Sequence, residues 1–228
     1  MALSTTDLGT GGTGMAKTIA PGNHTLKLNN IFLDDFKFID GAKHLMLNLE
    51  TEPIEGFEGF MIDKDDESKG HYKGQIGRVK ASQYAFADGE TKSGIKIQRD
   101  RSILIFLQNF CKALDINEWF TQQDGKHETI DAFIDAFNAN AQFQDIYMDF
   151  CVAGKEYMGK TGYINYDMNI AKADRGAYGF GAKGNSKVIV YNEALHLKKT
   201  EVKTVTAFGD DDDDLSIPSK ASSDFSLD

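Results

Sequence analysis

Apolar and polar residues alternate with a period of two in several stretches of this chain. Leu26, Leu28 and Ile31 interleave with Lys27 and Asn29, and Leu45, Leu47 and Leu49 with Met46, Asn48 and Glu50. Further on, Ile146, Met148, Phe150 and Val152 alternate with Tyr147, Asp149 and Cys151, while Ile164, Tyr166, Met168 and Ile170 alternate with Tyr163, Asn165, Asp167 and Asn169. This is the signature of half-buried strands. Asp40-Gly41 suits a turn between the first two, and the last two read as the arms of a long hairpin whose loop runs from Gly154 to Gly162. Val188 to Tyr191 and Ala194 to Leu197 predict further strand-like segments.

In the middle of the chain the period changes. Ile103, Phe106, Leu107, Phe110, Cys111 and Leu114 fall three and four apart, an apolar stripe along a helix that Asp100 or Ser102 is available to cap. Ile130, Phe133, Ile134 and Phe137 repeat the pattern, with Trp119-Phe120 and the polar Gln122 to His127 as the connection. The predicted class is therefore mainly β with a helical insert (α+β), the insert being a helical pair at about residues 100–143. Its phenylalanines read as core.

The two ends look different from the body. Gly9, Gly11, Gly12 and Gly14 make residues 1–20 expensive to order, so a flexible N-terminal segment is expected, followed by one domain over 21–208. From Gly209 onward there are seven Asp against one Lys, a net of −6 within a chain total of −10, which leaves the body at about −4. Asp210, Asp211, Asp212, Asp213 and Asp214 repel one another, and the neighbouring serines and Pro218 offer little apolar surface, so residues 209–228 are expected to be a disordered acidic tail. Ile217 and Phe225 are its candidate partner-binding residues.

Charge also divides the body. Residues 68–101 hold eight Lys or Arg against three acids, and residues 151–206 nine against five. Two basic, aromatic-bearing blocks on an acidic chain suggest a nucleic-acid groove with an anionic competitor attached; ordinary solvated faces are the alternative. The two cysteines argue against a disulfide framework and against a four-thiolate zinc site. No apolar run approaches the ~20 residues of a membrane span, and a soluble intracellular protein is expected. The five histidines lack two-histidine metal spacing, no G-x-S-x-G is present, and no cofactor or catalytic residue is assigned.

Gly154 to Thr161 matches G-x-x-x-x-G-K-[ST], the pattern of a phosphate-binding loop in which Lys160 and Thr161 would serve phosphate and magnesium. That chemistry needs a helix immediately afterwards, and the continuation Gly162 to Ile170 alternates as a strand. A nucleotide hydrolase is thus the minor reading. As a hairpin, the same segment offers Lys155 and Lys160 to a phosphate backbone and Tyr157 and Tyr163 to unstacked bases. A second candidate surface is the glycine-rich Lys172 to Lys187, with Arg175, Tyr178, Phe180, Lys183 and Lys187. A third is Tyr72, Lys73, Arg78, Lys80 and Tyr84, where alternation puts Arg78 and Lys80 on one strand face. Arg99 and Arg101 complete the candidate DNA-binding set.

The acidic tail, the basic aromatic hairpin and the interleaved strands together resemble the single-stranded DNA-binding proteins of bacteriophages. Asp210 to Asp214 with Ile217-Pro218 is similar to the Asp-rich tip of bacterial single-strand binders, and Asp224-Phe225 to the terminal aromatic of phage counterparts. Here Ser226-Leu227-Asp228 follow Phe225, and Ser219 rather than Phe comes directly after Pro218. The resemblance implies an OB-like five-stranded barrel and a non-enzymatic role in replication or recombination in the bacterial host cytoplasm. It also implies single-stranded DNA and, through the tail, replication or recombination proteins as partners. A phage structural or assembly protein that self-associates as a homo-oligomer is the other alternative.

Overall fold

The computed structural model describes residues 17–55, 57, 59–61, 71–160, 163–173 and 176–200. It is mainly β. Five strands pair in a ring: β1 (Gly22–Asp35), β2 (Lys43–Thr51), β3 (Ile76–Lys80), β4 (Tyr147–Met158) and β5 (Ile164–Ile170). The order around the ring is β1, β2, β3, β5, β4 and back to β1, with every pairing antiparallel except β3 with β5. Closure depends on the length of β1. Its first part, Gly22 to Lys27, lies along β4, and Leu26 to Asp35 lies along β2.

Between Leu28 and Asn30 the register of β1 shifts. A bulge bends a strand and increases its twist, which lets one strand serve two partners. Pairing with β4 ends at Lys27, and beyond it the helical insert bonds that edge of β1: the Ile31 amide donates to Asn138 Oδ1 at 2.9 Å, and Asn138 Nδ2 donates to the Ile31 carbonyl at 2.8 Å.

The alternation seen in the sequence sets the two faces of the ring. Leu26, Leu28, Ile31, Leu45, Leu47, Leu49, Val79, Met148, Phe150, Val152, Met168 and Ile170 point inward and are buried. They form one cluster with Ile103, Leu107, Phe110, Phe133, Ile134 and Phe137 of the insert. A buried leucine of this kind stabilises the fold by about 2–5 kcal/mol against alanine.

The insert comprises α1 (Arg99–Ala113), α2 (Asn117–Gln122), α3 (Ile130–Asn138) and a 3-10 turn at Ala141–Phe143. The expected helical pair is therefore three helices, since Trp119 and Phe120, read as connection, lie in α2. Six residues are too short for a helical apolar period to show. Neither Asp100 nor Ser102 caps α1. The cap position is Gln98, the Arg99 amide is held by Asp88 Oδ1 at 2.8 Å, and Ser102 Oγ donates back to the Gln98 carbonyl. Thr129 caps α3 by accepting from the Ala132 amide.

Three further expectations are corrected. First, the fold begins before residue 21: Ile19 is buried, its amide donates to the Ile76 carbonyl, and the Ile76 amide donates to Lys17. Ile19 fills the space that a side chain at Gly77 would need. Second, the hairpin loop is shorter than Gly154 to Gly162, because β4 continues through Met158. Third, Val188 to Tyr191 lies outside the strands and Glu193–His196 is a single helical turn, α4, which Asn192 caps by accepting from the Ala194 amide. Strand pairing resumes only at Leu197–Lys198, parallel to β4.

Ile189 and Tyr191 of this segment cover the outer side of Cys151, Ala153 and Ala171. Burial pushes the Cys151 thiol up to about 11 and that of Cys111 to about 12. Among the described residues no helix is long and apolar enough to cross a membrane. Asp210 to Asp214, Ile217 and Phe225 lie outside the described residues, as do Thr161 and Arg175.

Candidate nucleic-acid interface

Because the ring's inward positions are apolar, its chemistry lies on the outer positions, and cross-strand register shows which of these are neighbours. Arg78 is opposite Asn48, which is opposite Asn30. Lys80 is opposite Met46 on one side and Asn169 on the other, and Met46 is opposite Phe32. On the hairpin, Ala153 is opposite Asn169, Lys155 opposite Asp167, and Tyr157 opposite Asn165. Phe32, Arg78, Lys80, Lys155 and Tyr157 thus share one continuous outer face.

Specific contacts organise it. The Arg78 guanidinium lies over the Phe32 ring, 5.1 Å from its centroid, a cation–π arrangement that holds an otherwise exposed cation in place. Asn48 Nδ2 donates to Asn30 Oδ1 at 2.6 Å. Lys80 Nζ donates to Asp167 Oδ2 at 2.8 Å. Asp167 also faces Lys155 across the ladder, so a single carboxylate stands between two of the face's cations.

Two loops bound this face at opposite ends. β3 runs with Ile76 beside Glu50 and Lys80 beside Met46, so the β1–β2 loop, which precedes Lys43, stands at the Lys80 end. β5 is parallel to β3 with Asn169 beside Lys80, so the β4–β5 tip, which precedes Ile164, stands at the Ile76 end. Each loop carries apolar side chains in water. At the first, Phe38 is 87% exposed and Ile39 52%; at the second, Tyr163 is 75% exposed and Tyr157 48%, with Met158 and Ile164 also exposed. Lys160 is exposed at the same tip. The tip turns tightly, the Gly159 amide donating to the Tyr163 carbonyl at 2.8 Å, and a Cβ at Gly159 would collide with Asn165.

The β1–β2 loop is tied down. The Phe36 amide donates to the Ala42 carbonyl at 2.9 Å, and Arg99 donates from its guanidinium to the Gly41 carbonyl at 2.8 Å. Phe36 meets Phe38 edge-on at 5.3 Å and His44 at 5.2 Å, an aromatic row leading from the tip onto β2. Burial and the nearby Lys80 ammonium hold the His44 imidazole below its ordinary range.

The remaining predicted residues fall elsewhere or do other work. Tyr84, 70% exposed, follows β3 at the Lys80 end. Tyr72 and Lys73 precede β3, Tyr72 in a two-residue ladder with Phe60. Arg99 is committed to structure: it also bonds Asp100 at 2.7 Å, which raises its pKa, while Arg101 is exposed on α1. Phe180, expected to stack on bases, packs against Phe110 at 5.1 Å and Phe106 at 5.5 Å at the edge of the core, because the strand Phe180–Ala182 pairs with β4. Tyr178 and Lys187 are exposed, but Lys183 is paired with Glu52 at 2.6 Å. The glycine-rich segment is thus held by β4 and by Glu52, at the end of β2.

Phe32, Phe38, Asn48 and Asp167 were missed in the sequence. Phe36-Lys37-Phe38 just before the Asp40-Gly41 turn was a legible signal, since aromatics at a turn have no core to enter. As for the phosphate-loop pattern, Gly154 to Met158 are ladder residues and the next described element is strand β5, where that chemistry needs a helix. No protein-family model, curated protein or solved structure matches this chain.

Proposed function

We propose that the ring is an OB-type barrel and that its outer β2–β3 face is a groove for single-stranded nucleic acid. The observation that carries this reading is the pairing of an outward cationic face (Arg78, Lys80, Lys155) with aromatic loops at both of its ends. In OB folds the strand 2–3 face and the loops joining strands 1–2 and 4–5 are where oligonucleotides bind. The chemistry is sequence-tolerant: lysine and arginine meet phosphate, and Tyr157, Tyr163 and Phe38 offer ring faces that stack on any base. Duplex DNA keeps its bases stacked inside and gains only the charge contacts.

More particularly, the chain acts as a non-enzymatic single-stranded DNA-binding protein of phage replication or recombination, working in the bacterial host cytoplasm. The acidic tail serves as DNA mimic and partner-recruiting segment. Its tether supports this: Thr200, the last described residue, donates from Oγ1 to the Glu156 carbonyl at 2.7 Å, on the β4 arm beside Lys155 and Tyr157. The nine residues from there to Gly209 reach at most about 30 Å, enough to return Asp210 to Asp214 to the face.

Fluorescence anisotropy of labelled oligo-dT across salt concentrations tests the reading. Tight binding with a steep negative salt slope, and little competition from duplex, is expected. Deleting residues 209–228 should tighten binding at low salt. Absence of binding by both proteins at low salt would overturn the proposal.

A further inference from the structure

The helical insert contains a cavity of about 520 Å³, distinct from the strand face, between the first turns of α1, the end of α2 and the start of α3. Leu104, Phe120, Ile130 and Phe133 give it an apolar lining; the exposed Asp124 and Glu128 stand around it, Asp100 is paired with Arg99, and there is no lysine or arginine among its lining residues. Phe120 and Phe133 meet edge-on at 5.4 Å, and His127 lies against Phe133 at 5.6 Å while its Nε2 is 3.2 Å from Gln123 Oε1. The walls are fixed by these contacts and by the Thr129 cap. The hollow is thus preformed.

We propose that this cavity is a docking site for a short segment of a partner protein, in which one large apolar side chain is flanked by lysine or arginine. The apolar lining needs a side chain of leucine or phenylalanine size to displace its water. The carboxylates around it choose the flanking charge, repelling nucleic acid and this chain's own aspartate run while attracting cations. The division of surfaces follows from chain order. The strands carry the cationic face, and the insert between β3 and β4 carries a site of opposite charge. A bound partner would therefore leave the nucleic-acid face free.

Isothermal titration calorimetry on the full-length protein tests this with three capped peptides: Lys-Lys-Leu-Phe-Lys-Lys, its counterpart with glutamate for every lysine, and a version with Ser-Ser for Leu-Phe. Saturable binding is expected for the first alone, with amide NMR shifts confined to the α1–α2–α3 region. The paired substitutions Asp124→Lys and Glu128→Lys, both on exposed side chains, should weaken it at least tenfold, and oligo-dT should not displace it. Three results would overturn the site. One is comparable binding of the glutamate or Ser-Ser peptide. Another is affinity that survives the charge reversal, which assigns the peptide to other carboxylates. The third is a concentration-dependent dimer abolished by the reversal, which assigns the cavity to a second copy. None of these depends on whether the strand face binds DNA.

Discussion

Replacing Tyr157 and Tyr163 by alanine, singly and together, separates stacking from charge at the proposed groove. Both rings are largely in water, Tyr163 at 75% exposure and Tyr157 at 48%, so their removal should change folding stability by no more than about 0.5 kcal/mol. If each stacks on a base, each substitution should cost about 1–3 kcal/mol of affinity, roughly a 5- to 150-fold rise in Kd. The two lie on one turn, Tyr157 opposite Asn165 and Tyr163 just before Ile164, so the double variant need not be additive. Neither ring supplies a cation to phosphate, so the slope of log K against log salt should stay at its wild-type value. Anisotropy with oligo-dT and oligo-dA at several salt concentrations reads both quantities, and urea denaturation checks stability. Unchanged affinity in both single variants would refute stacking at the hairpin. A loss confined to one base would refute the sequence-tolerant reading.

Arg78→Ala should act in the complementary way, lowering the magnitude of the salt slope by about 0.7, the amount expected for one phosphate contact on a single strand; an unchanged slope would exclude Arg78 from the backbone contacts. Asp167→Asn should tighten binding about 2- to 5-fold at low salt, because it releases Lys80 from a partly exposed pair worth about 0–1 kcal/mol; weaker binding would mean that the carboxylate positions Lys80 for the ligand. His44 gives a pH dependence. Its folded pKa lies below the ordinary 6.5, so its contribution to stability is complete above that value and is lost as pH falls from there through the folded value. Urea midpoints should therefore drop less between pH 7.5 and 5 in His44→Gln than in wild type, and equal drops would contradict the sign.

Much of the architecture was legible because the ring strands turn alternate residues into the apolar interior, even though outward residues of β2 such as Met46 are buried as well. Leu45, Leu47 and Leu49 alternate since a register slip would turn all three into water. The α1 and α3 stripes were as clear, for the same reason in another period. What remained hidden was local or depended on a distant partner. The α2 helix is shorter than the window in which a helical period shows. Gly77 looks like a weakened strand until Ile19 is found in the space it leaves. Val188 to Leu197 has strand composition, yet Asn192 caps a helical turn over Glu193–His196.

The candidate site was legible to a different degree, and the difference comes from ring closure. A sequence shows that Arg78 and Lys80 share a side of one strand, but not which side chains arrive beside them. β3 and β5 are separated by the entire insert, so Asp167 meets Lys80 only because the parallel β3–β5 pairing closes the ring. Phe180 shows the converse. In sequence it stands among glycines, a lysine and a tyrosine and reads as a mobile stacking residue, whereas pairing with β4 carries it to Phe110 and Phe106. An aromatic beside glycines is thus ambiguous until its cross-strand partners are known. Phe38 was the decidable case: it sits at a turn too short to fold back on the core, and its exposure follows from that alone. Turn aromatics are accordingly the stronger sequence signal for a binding surface in a ring of this kind, and basic residues on paired strands the weaker, since a carboxylate from a remote strand can neutralise them.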